Sequence, residues 1–167
     1  MIFKHIDGVV AEAVFSPCER FRYRLTVDRS SSPSGKVVCV IMQNPSVAKS
    51  DVADRSVQFL ENLIFIKDYQ EFENVSRIII VNQFAFVQTN EFSGTDEHIG
   101  PENDWHIEQS LNEADIVLVA WGAGNAYQSR QQAINAMLAE RQGKTLLKTK
   151  KHPSRGAYNA FVEPYSI

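Results

Sequence analysis

Disulfides and metal sites are the first things this sequence lacks the means to build. Its two cysteines, Cys18 and Cys39, make no disulfide framework, and Cys39 lies in an apolar run that suits a small buried hydrophobe. The four histidines, His5, His98, His106 and His152, are scattered, and no CxxC or HExxH string occurs. Neither a metal nor an organic cofactor is expected. No serine sits in a GxSxG turn, which argues against acyl transfer from a nucleophile elbow. A phosphate loop is also missing, and Gly122 and Gly124 fall short of a dinucleotide fingerprint. The amino terminus has no signal-peptide core, and no apolar run approaches the ~20 residues that span a bilayer. The expected location is cytoplasmic, with no membrane partner. Positive charge is not in excess: 17 Lys and Arg stand against 20 Asp and Glu, a net charge of −3. That opposes strong non-specific binding to nucleic acid, which rests on phosphate neutralisation, but leaves room for a local basic face.

What is present fits one soluble unit. With 167 residues, 44% hydrophobic and 22% charged, the chain is expected to be a single α/β domain over 1–167 and a monomer. Residues 1–35 read as an amino-terminal extension that carries an edge strand. A strand is expected around Val9 to Val14. In Arg20 to Thr26, RFRYRLT, the arginines alternate with Phe21, Tyr23 and Leu25, the period-two signature of a half-buried strand with one cationic face. Arg22 and Arg24 are expected on that solvated face, although their company with Tyr23 leaves a ligand role open. After the turn SSSPSG, Lys36 to Met42 is an apolar, β-branched run of the kind buried on both faces.

Asp51 or Asp54 can cap the helix that follows, with Val57, Leu60 and Ile64 on one face. Arg77 to Val81 and Asp115 to Ala120 read as further buried strands, and Thr145 to Leu147 as a fourth. Helices are expected from Pro101 and from about Tyr127 to Arg141, with Gly143 ending the latter. Alternation of strand and helix predicts a three-layer α/β sandwich, with a mostly parallel central sheet and helices on both faces.

Each apolar run ends in a polar or glycine-containing cluster: Asn44-Pro45-Ser46, Asn82-Gln83, Trp121-Gly122-Ala123-Gly124 and His152-Pro153-Ser154. Turns favour Asn, Pro, Gly and Ser on their own account. Amides and an imidazole, however, are not needed for turning. If the strands are parallel, the four clusters converge where open α/β sheets bind ligands. Asparagine can read a nucleobase edge or hold a water. A neutral histidine can donate to an oxygen that gains negative charge, worth roughly a hundred- to a thousandfold in rate. Around His152, Lys144, Lys148, Lys150, Lys151 and Arg155 form a cationic stretch without a carboxylate between Lys144 and Phe161.

The strings RFRYRL, IMQNPS with Asp51 and Asp54 after it, VNQFAF, GPEND, AWGAG and KHPS resemble a bacterial and phage family catalogued as a domain of unknown function, DUF1643. In pieces from Val37 to Phe161, the order of motifs is also similar to the uracil-DNA glycosylase superfamily. Asn44-Pro45 resembles the water-positioning motif of its mismatch-specific branch, Asn82 its base-reading asparagine, and His152-Pro153-Ser154 its last motif. The resemblance implies hydrolysis of the N-glycosidic bond of a damaged or modified base flipped out of DNA. Asn44 and His152 would be catalytic. Asn82, Gln43, Phe84 and Ser154 would bind the base, with Phe86 as an alternative stacking ring. Lys148, Lys150, Lys151, Arg155 and Ser46 would meet the backbone, and Tyr158 would occupy the wedge loop.

Asn44 is no general base, so Asp51 or Asp54 would have to reach the crevice for an alternative base to exist. Two other readings stay open: a non-catalytic binding module for a nucleotide or nucleic acid, and an enzyme acting on free nucleosides or nucleotides. In the last, RFRYRL would supply phosphate-binding arginines.

Overall fold

A computed structural model describes residues 3–31, 34–45, 48, 51–87, 92–122 and 126–167. Seven strands form one sheet: β1 (Val9–Phe15), β2 (Arg22–Arg29), β3 (Lys36–Met42), β4 (Val75–Asn82), β5 (Ile116–Val119), β6 (Thr145–Thr149) and β7 (Val162–Pro164). Their spatial order is β1-β2-β4-β3-β5-β6-β7. The helices are α1 (Arg55–Glu61), α2 (Asn103–Glu113) and α3 (Gln128–Ala139).

The expectation of a mostly parallel sheet in a three-layer sandwich is overturned. The β3–β4, β3–β5 and β5–β6 pairings are parallel, and β1–β2, β2–β4 and β6–β7 are antiparallel. The sheet is mixed, and its three α-helices are short, at 7, 11 and 12 residues. Connection length is the physical reason. A parallel return needs a crossover of a dozen residues or more, roughly a helix, whereas an antiparallel neighbour needs only a turn. The 16–21 segment between β1 and β2 contains no helix, and β7 folds back beside β6 after a single turn of 3₁₀-helix at Pro153–Arg155. The edge strand of the amino-terminal extension is β1, not the Arg20 to Thr26 strand. β2 lies inside the sheet between β1 and β4.

Core formation follows the pleat of β3, which is buried on both faces as continuous apolar strands are. Val38, Val40 and Met42 join Val57, Leu60 and Leu63 from α1 and its continuation, a π-turn at Asn62–Ile66. Cys39 and Ile41 join Ile107 and Leu111 of α2 and Ile134 and Leu138 of α3. Each such side chain contributes about 1.5–3 kcal/mol when fully buried. Burial pushes the Cys39 thiol up to about 12, so it stays a protonated apolar filler. No helix among the described residues is long and apolar enough to cross a membrane.

Two local features set up the site. Asp54 caps α1: its Oδ1 accepts the Val57 N–H at 2.8 Å. In β2 the pairing with β1 slips by one residue, so that Val14 faces Arg24 while Phe15 faces Arg22. This bulge breaks the period-two alternation and re-aims a side chain, as bulges do. Tyr23 and Arg24 both meet α2, Tyr23 by stacking on His106 and Arg24 by pairing with Glu113. Arg22 turns to the other side, where its Nη1 donates to the Ala48 carbonyl at 2.7 Å.

Candidate functional site

A cleft of about 680 Å³ opens at the carboxyl ends of the parallel strands. Met42 ends β3, and Gln43, Asn44 and Pro45 form one wall. Trp121 and Gly122 follow β5, while Lys151, His152, Ser154 and Arg155 follow β6. Asp54 and Ser56 come from the start of α1, and Arg22 from the start of β2. Because β2 runs antiparallel to β4, its first residue lies at the end of the sheet where the parallel strands finish. The mixed sheet thus delivers an arginine to the cleft that an all-parallel arrangement would not.

His152 precedes the turn at Pro153–Arg155, and its Nδ1 accepts from the Ser154 backbone N–H at 3.1 Å. The Ser154 hydroxyl lies 2.9 Å from the same nitrogen. An imidazole nitrogen that accepts a backbone N–H is unprotonated, so Nε2 carries the proton and serves as a donor. Burial holds the His152 pKa below its ordinary value; the charge of Asp54 opposes this and that of Arg155 adds to it. The neutral imidazole is therefore favoured. Gly122 sits beside His152 with a φ of +96°, a left-handed conformation that side-chain-bearing residues rarely adopt. Across the cleft, Gln43 Nε2 donates to Asn44 Oδ1 at 3.2 Å, which orients the Asn44 amide.

Arg22 is 1% exposed. Among the described residues its Nε has no hydrogen-bond partner, and burial lowers its pKa to about 10, with Asp54 pulling the other way. It remains charged at neutral pH. The expected solvated position is corrected by the bulge, which the alternation of arginine and aromatic residues does not announce. The signal that was legible is an arginine beside Tyr23 in an otherwise apolar strand.

The cleft therefore gathers Asn44, His152, Gln43, Ser154, Lys151 and Arg155 from the expected site residues, together with Asp54. Ser46 lies outside the described residues. Asn82 and Phe84 are not on the lining: they are 1% and 2% exposed, behind it. Among the described residues, neither the amide nitrogen nor the amide oxygen of Asn82 has a partner. Phe84 packs edge-on against Phe92 and Tyr127, with ring centroids 5.2 and 5.0 Å away. Phe86 stacks on His98.

The cationic stretch does not act as one surface. Lys144 donates to the Ala114 carbonyl at the opposite end of β6. Lys148 pairs with Glu163, which β7 brings alongside at 3.5 Å, and Lys150 is exposed away from the lining. Tyr158 lies flat on Phe59, centroids 4.7 Å apart, with the Lys67 ammonium over its ring. Trp121, half-buried on the lining, is the aromatic ring of the cleft and meets Tyr165 edge-on. Among the described residues no group of three or more His, Cys, Asp and Glu side chains could hold a metal ion.

A family model described as "Protein of unknown function (DUF1643)" matches residues 22–155, from the buried arginine to the rim arginine of the cleft. The chain belongs to the DUF1643 family. The match spans every strand that contributes to the lining and leaves out β1 and β7. No curated protein and no solved structure matches the DUF1643 chain.

Proposed function

We propose that this DUF1643 protein hydrolyses the N-glycosidic bond of a damaged or modified base in DNA. The observation that carries the reading is the presence of a carboxylate, Asp54, on the lining of the cleft that holds Asn44 and His152. Asn44 alone has no basic group, and Asp54 supplies one. A carboxylate has about four acceptor sites, so a water can join the bonds Asp54 already makes. Motif-level similarity to the uracil-DNA glycosylases suggests the reaction class, and the polar cleft suggests the parts.

In this mechanism the C1′–N bond breaks with its electron pair moving onto the base. The Nε2–H of His152 donates to the base oxygen as it becomes anionic, and it is a good donor there because the group needs no protonation beforehand. Water, oriented by the Asn44 amide, attacks C1′ and gives its proton to Asp54. The departing base then takes a proton from solvent. Trp121 offers a face for the extruded base, and Lys151 and Arg155, exposed at the rim, neutralise backbone phosphates without reading sequence. Extrusion costs a few kcal/mol, roughly, and is least costly for a mismatched or modified base.

The test is abasic-site formation. Labelled single- and double-stranded oligonucleotides carrying uracil, mismatched thymine, or hydroxymethylated and glucosylated pyrimidines are incubated with the protein and heated in alkali. Cleavage that disappears in both His152→Ala and Asp54→Asn supports the reading. Retained binding with no base released from any oligonucleotide replaces it with a binding module.

A further inference from the structure

The charges on the cleft do not balance. Among the described residues of the lining, Arg22, Lys151 and Arg155 face one carboxylate, Asp54, with His152 neutral, a local surplus of two positive charges in a chain of net −3. Two of those cations are exposed at the rim, where water solvates them. Arg22 has no such relief. A buried guanidinium needs a counter-charge and acceptors for its five N–H groups. Among the described residues its side chain has one acceptor, a neutral backbone carbonyl, and its Nε has none. Asp54 acts on it through its charge but shares its field with His152.

We propose that Arg22 is the floor of a phosphate-binding subsite, and that the cleft takes a phosphorylated nucleotide with its phosphate between Arg22 and the rim cations. A phosphate monoester carries close to two negative charges at neutral pH, which matches the surplus. Its oxygens suit the planar fork of a guanidinium better than a point-charge ammonium would. Trp121 and the Gln43–Asn44 amide pair lie on the same lining, available to the base. This assignment rests on the reading of the cleft as a nucleotide site and adds what the nucleotide must bear. The phosphate has two sources, a free mononucleotide or the terminal phosphate of a DNA strand.

Calorimetric titration tests it with four probes: deoxyuridine, deoxyuridine 5′-monophosphate, and a short single-stranded oligonucleotide with and without a 5′-phosphate. The expected result is at least tenfold tighter binding of one phosphorylated probe than of its unphosphorylated partner. Which of the two phosphorylated probes gains identifies the source. Arg22→Met removes the buried charge but leaves the Ala48 carbonyl without its donor, so its melting curve is recorded alongside, and the folded variant is expected to lose the phosphate preference. Arg155→Ala, at the exposed rim, tests the same subsite without touching the core and is expected to weaken the preference severalfold. Equal affinity for phosphorylated and unphosphorylated probes overturns the proposal, as does a preference that survives both substitutions. Base release without phosphate preference sinks this inference alone. Phosphate preference without base release sinks the hydrolytic reading alone.

Discussion

Ser154 donates its backbone N–H to Nδ1 of His152 at 3.1 Å, and in doing so decides which imidazole nitrogen carries the proton. A backbone donor does not depend on the serine side chain. Ser154→Ala is therefore expected to keep the Nε2–H tautomer and most of the base-release activity, whereas His152→Ala is expected to lose roughly a hundred- to a thousandfold. Nitrogen chemical shifts of His152 report the tautomer directly. A protonated Nδ1 in the wild type would remove the donor from the mechanism.

The lowered His152 pKa has a definite sign in both activity and stability. Because burial depresses the folded-state value below the ordinary 6.5, the folded protein holds fewer protons than the unfolded chain as pH falls. Stability is complete above 6.5 and declines between 6.5 and the lowered folded value. If base release uses the neutral imidazole, it is expected to persist below 6.5 and to fall as pH drops through the folded value. Melting curves of wild type and His152→Ala across this range should converge less steeply for the variant. Identical slopes would show that His152 does not carry the effect.

Asp54 combines two roles that substitution can separate. As the α1 cap it accepts the Val57 N–H, and Asn caps about as well as Asp while Ala costs about 1 kcal/mol. As a carboxylate on the cleft it also raises the pKa of His152. Asp54→Asn should fold with little loss, release no base, and shift the His152 titration further down. Asp54→Ala should do the same and also melt lower. Full activity in Asp54→Asn would leave the carboxylate with its capping role only.

How much of this was legible in the chain differs from element to element. The parallel strands announced themselves because runs such as KVVCVIM and RIIIV are apolar on both faces, and the strand ends carried the polar clusters that meet in the cleft. The antiparallel half was legible only in part: strands were expected where β1 and β2 lie, but β7 and the pairing of β2 with β4 were not. β7 is Val162–Pro164, too short to show a period, and the position of β2 beside β4 is a long-range pairing with no local signature. Asp54 could be read as a cap from its place before Val57, but its position on the cleft depends on where α1 docks. Arg22 was hidden most fully, since the slip opposite Val14 and Phe15 overrides an alternation that is otherwise regular.

Gly156 shows how tightly the loop after His152 is held. An added Cβ would lie 2.3, 2.5 and 2.6 Å from ring atoms of Phe59. The φ of Gly156 is −71°, so the backbone suits any residue and the effect of substitution is purely steric. Phe59 is buried between Tyr158 and Phe161 and has little room to move. Gly156→Ala is expected to cost about 1–3 kcal/mol, the range for overpacking a filled core. Thermal denaturation measures it, and a Phe59→Leu background should recover part of the loss because the two sites are in contact. Equal losses in both backgrounds would mean that the ring is not the obstacle.

Asn82 poses the sharpest contrast between stability and use. It is 1% exposed, and among the described residues both polar atoms of its side chain are without partners, while its backbone carbonyl is held by Asn103 Nδ2 at 2.9 Å. A buried polar group left unsatisfied costs about 1–3 kcal/mol. Leucine has the same branched four-atom skeleton, with bulkier methyl groups in place of the amide and no polar atoms to satisfy, and it leaves the carbonyl contact in place. Asn82→Leu is therefore expected to melt at or above the wild-type temperature. If the amide reads a base that enters the cleft past Met42, its neighbour across the β3–β4 pairing, the stabilised variant should release no base. A variant that is stable and fully active would instead exclude Asn82 from recognition, and one that melts lower would show that the amide has a structural partner.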